Sequence, residues 1–201
     1  MKRPAHHRHA QRGVVLVTSL LLLVVVTIIA LSMFRSFGVQ EKIAGNMREK
    51  QRALQAAVSA QQYAENWLTN NSTAVSAPCT VMLNANIGQG QICSVKLSTA
   101  VADITSLPWK IGGVPVGVTF LPPGMTVSAT TSVSAANLAN PSYFATPSFY
   151  IADLGASADP NIPGEVYQID AVAYGGSSGT VAVVESTYAV YTTSSCPSCG
   201  P

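Results

Sequence analysis

Hydrophobic positions along this chain change their period twice, and each change marks an element. From Val14 to Phe34 every residue is apolar except Thr18, Ser19, Thr27 and Ser32, and the run holds neither charge nor proline. Hydroxyl side chains in such a run can bond back to helix carbonyls, so they do not interrupt it. A bilayer core is crossed by about 20 apolar residues in helical form, so residues 14–34 are expected to span a membrane. Onward to Leu68 there is no proline, and glycine occurs only at Gly38 and Gly45, so the same helix is expected to run over residues 14–69. Beyond the span, Ile43, Met47, Leu54, Ala57, Val58, Ala64 and Leu68 recur at spacings of three, four and seven. Lys42, Arg48, Gln51, Arg52, Gln55 and Gln62 take the other face. This amphipathic half is expected to dock its stripe on a globular head. Asn70-Asn71-Ser72 and then Pro78 end the helix.

After Pro78 the period falls to two. Short runs rich in Val, Thr, Ser and Ala are punctuated by proline and glycine, and six candidate strands stand out: Gln91–Leu97, Val114–Phe120, Met125–Val133, Ser148–Leu154, Glu165–Tyr174 and Thr180–Thr192. In the fifth, Val166, Gln168, Asp170 and Val172 alternate with Tyr167, Ile169, Ala171 and Ala173, and Gly175-Gly-Ser-Ser-Gly179 turns the chain into the sixth. An antiparallel hairpin follows. Residues 134–147 read as an exposed loop. The expected fold is α+β: one long N-terminal helix laid on an antiparallel sheet, with residues 70–201 as a β-rich head.

Charge refines this layout. The formal net charge of +2 averages unlike regions. Met1–Gly13 carries Lys2, Arg3, Arg8 and Arg12 and no acid, whereas beyond Ala60 only Lys96 and Lys110 face seven acidic residues. A basic leader before an apolar helix is expected to hold the N-terminus in the cytoplasm and send the head across the membrane, although Arg35, Lys42, Arg48, Lys50 and Arg52 follow the span. A mildly acidic head offers no stripe to neutralise phosphates, which argues against nucleic acid as a partner. A cleaved secretory signal fits poorly, because the apolar run exceeds the usual length and ends Ala30-Leu-Ser-Met-Phe-Arg rather than in a small-x-small site. Cys79, Cys93, Cys196 and Cys199 all fall in the exported part, where disulfides persist. Of three possible connectivities, Cys79–Cys93 with Cys196–Cys199 is favoured because both close short loops.

Gly13 sits at the junction between leader and helix, in Gln11-Arg12-Gly13-Val14. The junction resembles the prepilin peptidase site of type IV pilins and type II secretion pseudopilins. The stretch Gln40–Ala57, QEKIAGNMREKQRALQAA, resembles the post-membrane signature of PilX-type minor pilins. Phe149-Tyr-Ile, Val166-Tyr-Gln-Ile and Val184-Glu-Ser-Thr-Tyr188 resemble strands of that family more loosely, and residues 70–147 show no resemblance. The likeness implies removal of residues 1–13 by a prepilin peptidase and methylation of the new amine of Val14. It also implies the partners of a minor pilin: other minor pilins, the major pilin, the inner-membrane assembly platform and a PilY-type tip adhesin. Two departures matter. Val58 stands where the family usually carries glutamate, and Thr18 stands at the fifth mature position, where major pilins keep a glutamate that pairs with a neighbour's amine. A carboxylate in a bilayer costs a few kcal/mol unless it is paired. Thr18 avoids that cost and forgoes the pairing, as in tip-forming pseudopilins, so the expected role is initiation of assembly near a filament tip.

Candidate chemistry is sparse. All three histidines, His6, His7 and His9, lie in the leader, so a processed chain has no imidazole for a catalytic triad or an ordinary zinc site. Cys196-Pro-Ser-Cys199 has redox spacing, but no helix follows to lower a thiol pKa. Asp153, Asp159, Asn161 and Glu165 crowd one Gly/Pro-rich loop without EF-hand spacing. Trp67 and Trp109 read as core residues, and nothing resembles a phosphate-binding loop. No metal and no cofactor is expected, and an enzyme is disfavoured. The reading is a minor pilin of type IV pili, with a type II secretion pseudopilin as its near rival. A signal-anchored periplasmic enzyme or a surface adhesin using residues 98–147 are the more distant ones.

Overall fold

A computed structural model describes residues 12–71, 73–100, 107–128, 142–158 and 164–191, with the side chains of Arg12 and residues 35–37 excepted. Helix α1 runs Arg12–Asn70, as its unbroken supply of helix-compatible residues requires. By contact the chain divides into two compact units, one ending at Asn46 and one beginning at Met47. The head is therefore built on the second half of α1.

In the first unit the apolar stretch reaches a mean hydropathy of 3.1 and none of that stretch is buried. Its hydroxyls behave as the sequence implies: Ser19 donates to the Leu16 carbonyl, Thr27 to Val24 and Ser32 to Ile28, at 2.8–2.9 Å.

The head is a five-stranded sheet in the order β1-β4-β5-β6-β7. Its strands are β1 (Met82–Asn84), β4 (Gly117–Thr119), β5 (Ser148–Ala156), β6 (Gly164–Tyr174) and β7 (Val181–Tyr191). Strands β4 to β7 pair antiparallel with their neighbours, and β1 runs parallel to β4. The β6–β7 hairpin keeps one register from Gly164↔Tyr191 to Tyr174↔Val181. A separate hairpin joins β2 (Lys110–Ile111) to β3 (Val114–Pro115). Its turn residues Gly112 and Gly113 both have positive φ, which non-glycine residues adopt at a cost. Short helix α2 spans Leu97–Ala100.

Alternation along the strands sorts side chains onto two covered faces. On one, Phe149, Ile151, Tyr167, Ile169 and Ala171 meet Ala60, Ala64 and Leu68 of α1, and Ala173 and Ala182 meet Ala53, Ala56 and Ala57. On the other, Tyr150, Ala152 and Val172 pack under Cys79, Cys93, Leu97, Trp109 and Val116. The sheet thus lies between a helix and an irregular segment.

Several expectations from the sequence change. The docking stripe is narrower and smaller than the periodicity implied: Ala57, Ala64 and Leu68 are fully buried, but Ile43, Met47 and Leu54 are exposed. Alanines at 53, 56, 57, 60 and 64 let the helix approach the sheet more closely than branched chains would. Gln91–Leu97 is not a strand; only Cys93 forms bridges, to Ala77 and Ala152. Val114–Phe120 is split between β3 and β4 at Val116, and from Met125–Val133 the described part shows one bridge, Val127↔Tyr143. Residues 134–141 of the expected loop lie outside the described residues.

Candidate assembly site

At the N-terminal end of α1, Gly13 leads into the apolar helix. An added Cβ at Gly13 would meet nothing within 4 Å, so packing within this chain does not demand glycine there. One turn on, the Thr18 hydroxyl lies 3.0 Å from the carbonyls of both Val14 and Val15. Its proton stays within its own helix. Val14, Leu20, Leu23, Ile29, Leu31 and Phe34 are each more than half exposed. So much contiguous apolar surface on a soluble monomer marks a membrane or protein contact.

In the head, α1 is fastened to the β6–β7 turn by a polar anchor. The Glu49 carboxylate accepts the Gly176 N–H at 2.7 Å and the Arg52 guanidinium at 2.9 Å. Arg52 lies 4.4 Å over the Tyr143 ring, a cation–π geometry. Partial burial opposes ionisation of Glu49, but the Gly176 N–H and the Arg52 charge outweigh it and hold the carboxyl below its ordinary range. Lys50 Nζ donates to the Val181 carbonyl at the start of β7. Nothing in the alternation pattern singles out Glu49 and Arg52; their i, i+3 spacing was the only signal available.

A second polar group lies on the sheet face away from α1. Asp170 is only 6% exposed and stands directly opposite Tyr150 on β5 and Glu185 on β7. Burial, then the Glu185 charge, raise its pKa to about 6 against a weak opposing contact from Gln168. That contact is long, 3.4 Å. The alternation of the strand places Asp170 on one face with Val166, Gln168 and Val172; the segment that covers this face was not foreseeable from spacing.

Cys79 and Cys93 stand joined as a disulfide, with Cα atoms 5.2 Å apart. The bridge ties the irregular layer to β5, because the Cys93 N–H donates to the Ile151 carbonyl at 2.7 Å and its carbonyl accepts from Asp153 at 2.8 Å. Cys196, Cys199, His6, His7, His9, Asp159 and Asn161 lie outside the described residues. Asp153 Oδ1 accepts the Gly155 N–H at 2.7 Å, across a β-bulge where Gly155 has φ 86°. Glu165 pairs in register with Val190. Among the described residues no group of three or more His, Cys, Asp or Glu stands close enough to hold a metal ion. Trp109 is buried in the layer beside Cys79 and Cys93, and Trp67 is partly buried against the helix-side core.

The long apolar helix followed by a sheet closed on its α1 face is a pilin-like layout, and sequence comparison extends this to a family. Residues 12–60 match the PilX N-terminal family model, and residues 51–190 match the model described as type IV pilus assembly protein PilX C-term. The second match takes in residues 70–147, a stretch without recognisable motifs of the family. No curated protein and no solved structure matches the chain. With nearly the whole described chain covered by two consecutive parts of one family, an exposed apolar helix and a head docked through its alanine face, this chain belongs to the PilX family of type IV pilus assembly proteins.

Proposed function

We propose that this type IV pilus minor pilin acts in initiation of the filament, near its tip, rather than as a repeating subunit. The observation that carries the proposal is the state of Thr18. Thr18 carries a neutral hydroxyl in place of a carboxylate, and that hydroxyl bonds back to the Val14 and Val15 carbonyls of its own helix, so this position presents no anion to the amine of a subunit below. A subunit without that pairing fits a place where one side of the helix has no successor.

Processing after Gly13 belongs to the same proposal. A glycine that its own fold does not require suits a backbone that must extend through a peptidase site. In this reading the basic leader stays cytoplasmic, residues 14–34 wait in the inner membrane, and the head is periplasmic before incorporation. The helix then exchanges lipid for the apolar helices of other minor pilins and the major pilin, on the assembly platform, with a PilY-type adhesin beyond. The family it belongs to is one of structural pilus components, which supports an assembly role.

Intact mass of membrane-extracted protein tests the processing. The expected species begins at Val14 and carries one methyl group; an uncut Met1 or a cut near Ser32 would sink it. Gold labelling of sheared pili tests the placement, with label expected at ends only. Label distributed along the shaft would exclude a tip role.

A further inference from the structure

The two margins of the head sheet are finished differently. At the β5 side, the ladder is closed by β4, by β1 beyond it, and by Cys93, which bonds Ile151 and Asp153. At the opposite margin stands β7, an eleven-residue strand with no neighbour beyond it among the described residues. Its inner and outer groups follow from register. Ile151 bonds Cys93, so it faces away from β6, and its neighbours Tyr150 and Ala152 face β6. Asp170 and Gln168, paired with those two, therefore turn toward β5, which leaves Ile169 and Ala171 to bond Ser186 and Val184 of β7. Val181, Val183, Glu185, Thr187, Ala189 and Tyr191 then direct their backbone groups outward. The acceptance of Lys50 by the Val181 carbonyl agrees with that parity and occupies the first of these positions.

Edges this long are ordinarily blunted by lysine, proline or bulges. Strand β7 has none of these within it and carries one charge, Glu185. That charge ends a cross-strand row, Tyr150–Asp170–Glu185, in which two acids stand directly opposite each other. Like charges so placed are destabilising. No ion pair reaches either acid among the described residues, where the one salt bridge is Arg52–Glu49. The next place in the row is the position opposite Glu185 on a strand that would lie beyond β7.

We infer that the outer edge of β7 receives an extended segment of another polypeptide, paired by strand addition, with a lysine or arginine opposite Glu185. Main-chain hydrogen bonds to Val183, Glu185, Thr187 and Ala189 hold the segment, and the cation selects its register. The raised pKa of Asp170 is in keeping with a row that lacks its positive member. A second copy of β7 is a poor occupant, since it brings no cation. The inference rests on head residues alone and stands or falls independently of cleavage at Gly13.

The test uses the full chain in detergent micelles with a defined probe, a peptide of alternating threonine and valine bearing one central lysine. Amide hydrogen exchange is expected to show Val183, Glu185, Thr187 and Ala189 unprotected alone and protected with the peptide. A glutamate-centred peptide, or the variant Glu185→Gln, is expected to weaken binding, the former by about tenfold. Thr187→Pro removes an outward N–H while sparing the β6 ladder, where an edge proline is tolerated, and is expected to abolish protection. The inference is overturned by equal binding of the two peptides, or by binding unchanged in both variants. It is equally overturned if these amides are already protected in the monomer, or become protected on concentrating the protein alone.

Discussion

Asp170 carries the most unusual electrostatic burden of any described side chain. Its folded pKa of about 6 lies above the ordinary 3.8, so in the folded state the acid holds its proton more tightly than in the unfolded chain. The sign follows from linkage: stability is greatest with the group protonated in both states and falls as pH rises through the window from about 3.8 to about 6. Asp170→Asn is therefore expected to stabilise the head at pH 7, by up to roughly 2 kcal/mol, and to flatten stability between pH 4 and 6. Urea unfolding of wild type and variant across that range checks it; a variant less stable than wild type at pH 7 would refute it. Glu49 behaves oppositely. Its depressed pKa means that its contribution is present at neutral pH and is lost as pH falls through the folded value, so acid weakens the anchor between α1 and the β6–β7 turn.

Among the elements, the second half of α1 depends on small residues. Ala53, Ala57, Ala60 and Ala64 are 0% exposed, with Ala60 and Ala64 beside Ile169 and Ala171. Enlarging one forces the helix off the sheet, and overpacking of this kind costs about 1–3 kcal/mol. Ala60→Leu is expected to lower the unfolding free energy of the head by that amount, whereas Leu54→Ala, at a half-exposed position, is expected to change it by less than about 0.5 kcal/mol. Equal effects of the two substitutions would show that the alanine face does not set the helix-to-sheet distance. The strand elements differ in what specifies them. Strands β6 and β7 alternate cleanly and their turn is marked by glycines, so both hairpin ends were readable to within a residue. Strand β1 is three residues long and pairs in parallel with a strand more than thirty residues later; no local pattern encodes such a partner.

For the molecule as a whole, the proposed function depends on an apolar surface that no described part of the chain covers. If residues 14–34 live in lipid or among other helices, a central charge must be felt. Leu23→Arg is expected to cost about 2.5–3.5 kcal/mol of insertion and to shift the protein from the membrane fraction toward the soluble one. Unchanged membrane retention would argue against a spanning role. Periodicity and composition by themselves determined the long helix, its apolar first half, and the β-rich head with its final hairpin. Those features depend on local terms: hydropathy, helix-compatible residues, turn glycines. Periodicity placed Ala57, Ala64 and Leu68 on the docking face, but only the tertiary structure decided that Ala53, Ala56 and Ala60 complete it while Ile43, Met47 and Leu54 stay exposed, since small residues win here by allowing close approach. It alone decided too that Cys79, Cys93, Leu97, Trp109 and Val116 pack over the far face of the sheet, where Asp170 is buried; the Cys79–Cys93 bridge was already favoured by its short spacing. Contacts between residues distant in sequence are set by which surfaces remain to be covered once the local elements have formed, and that is a property of the assembled head.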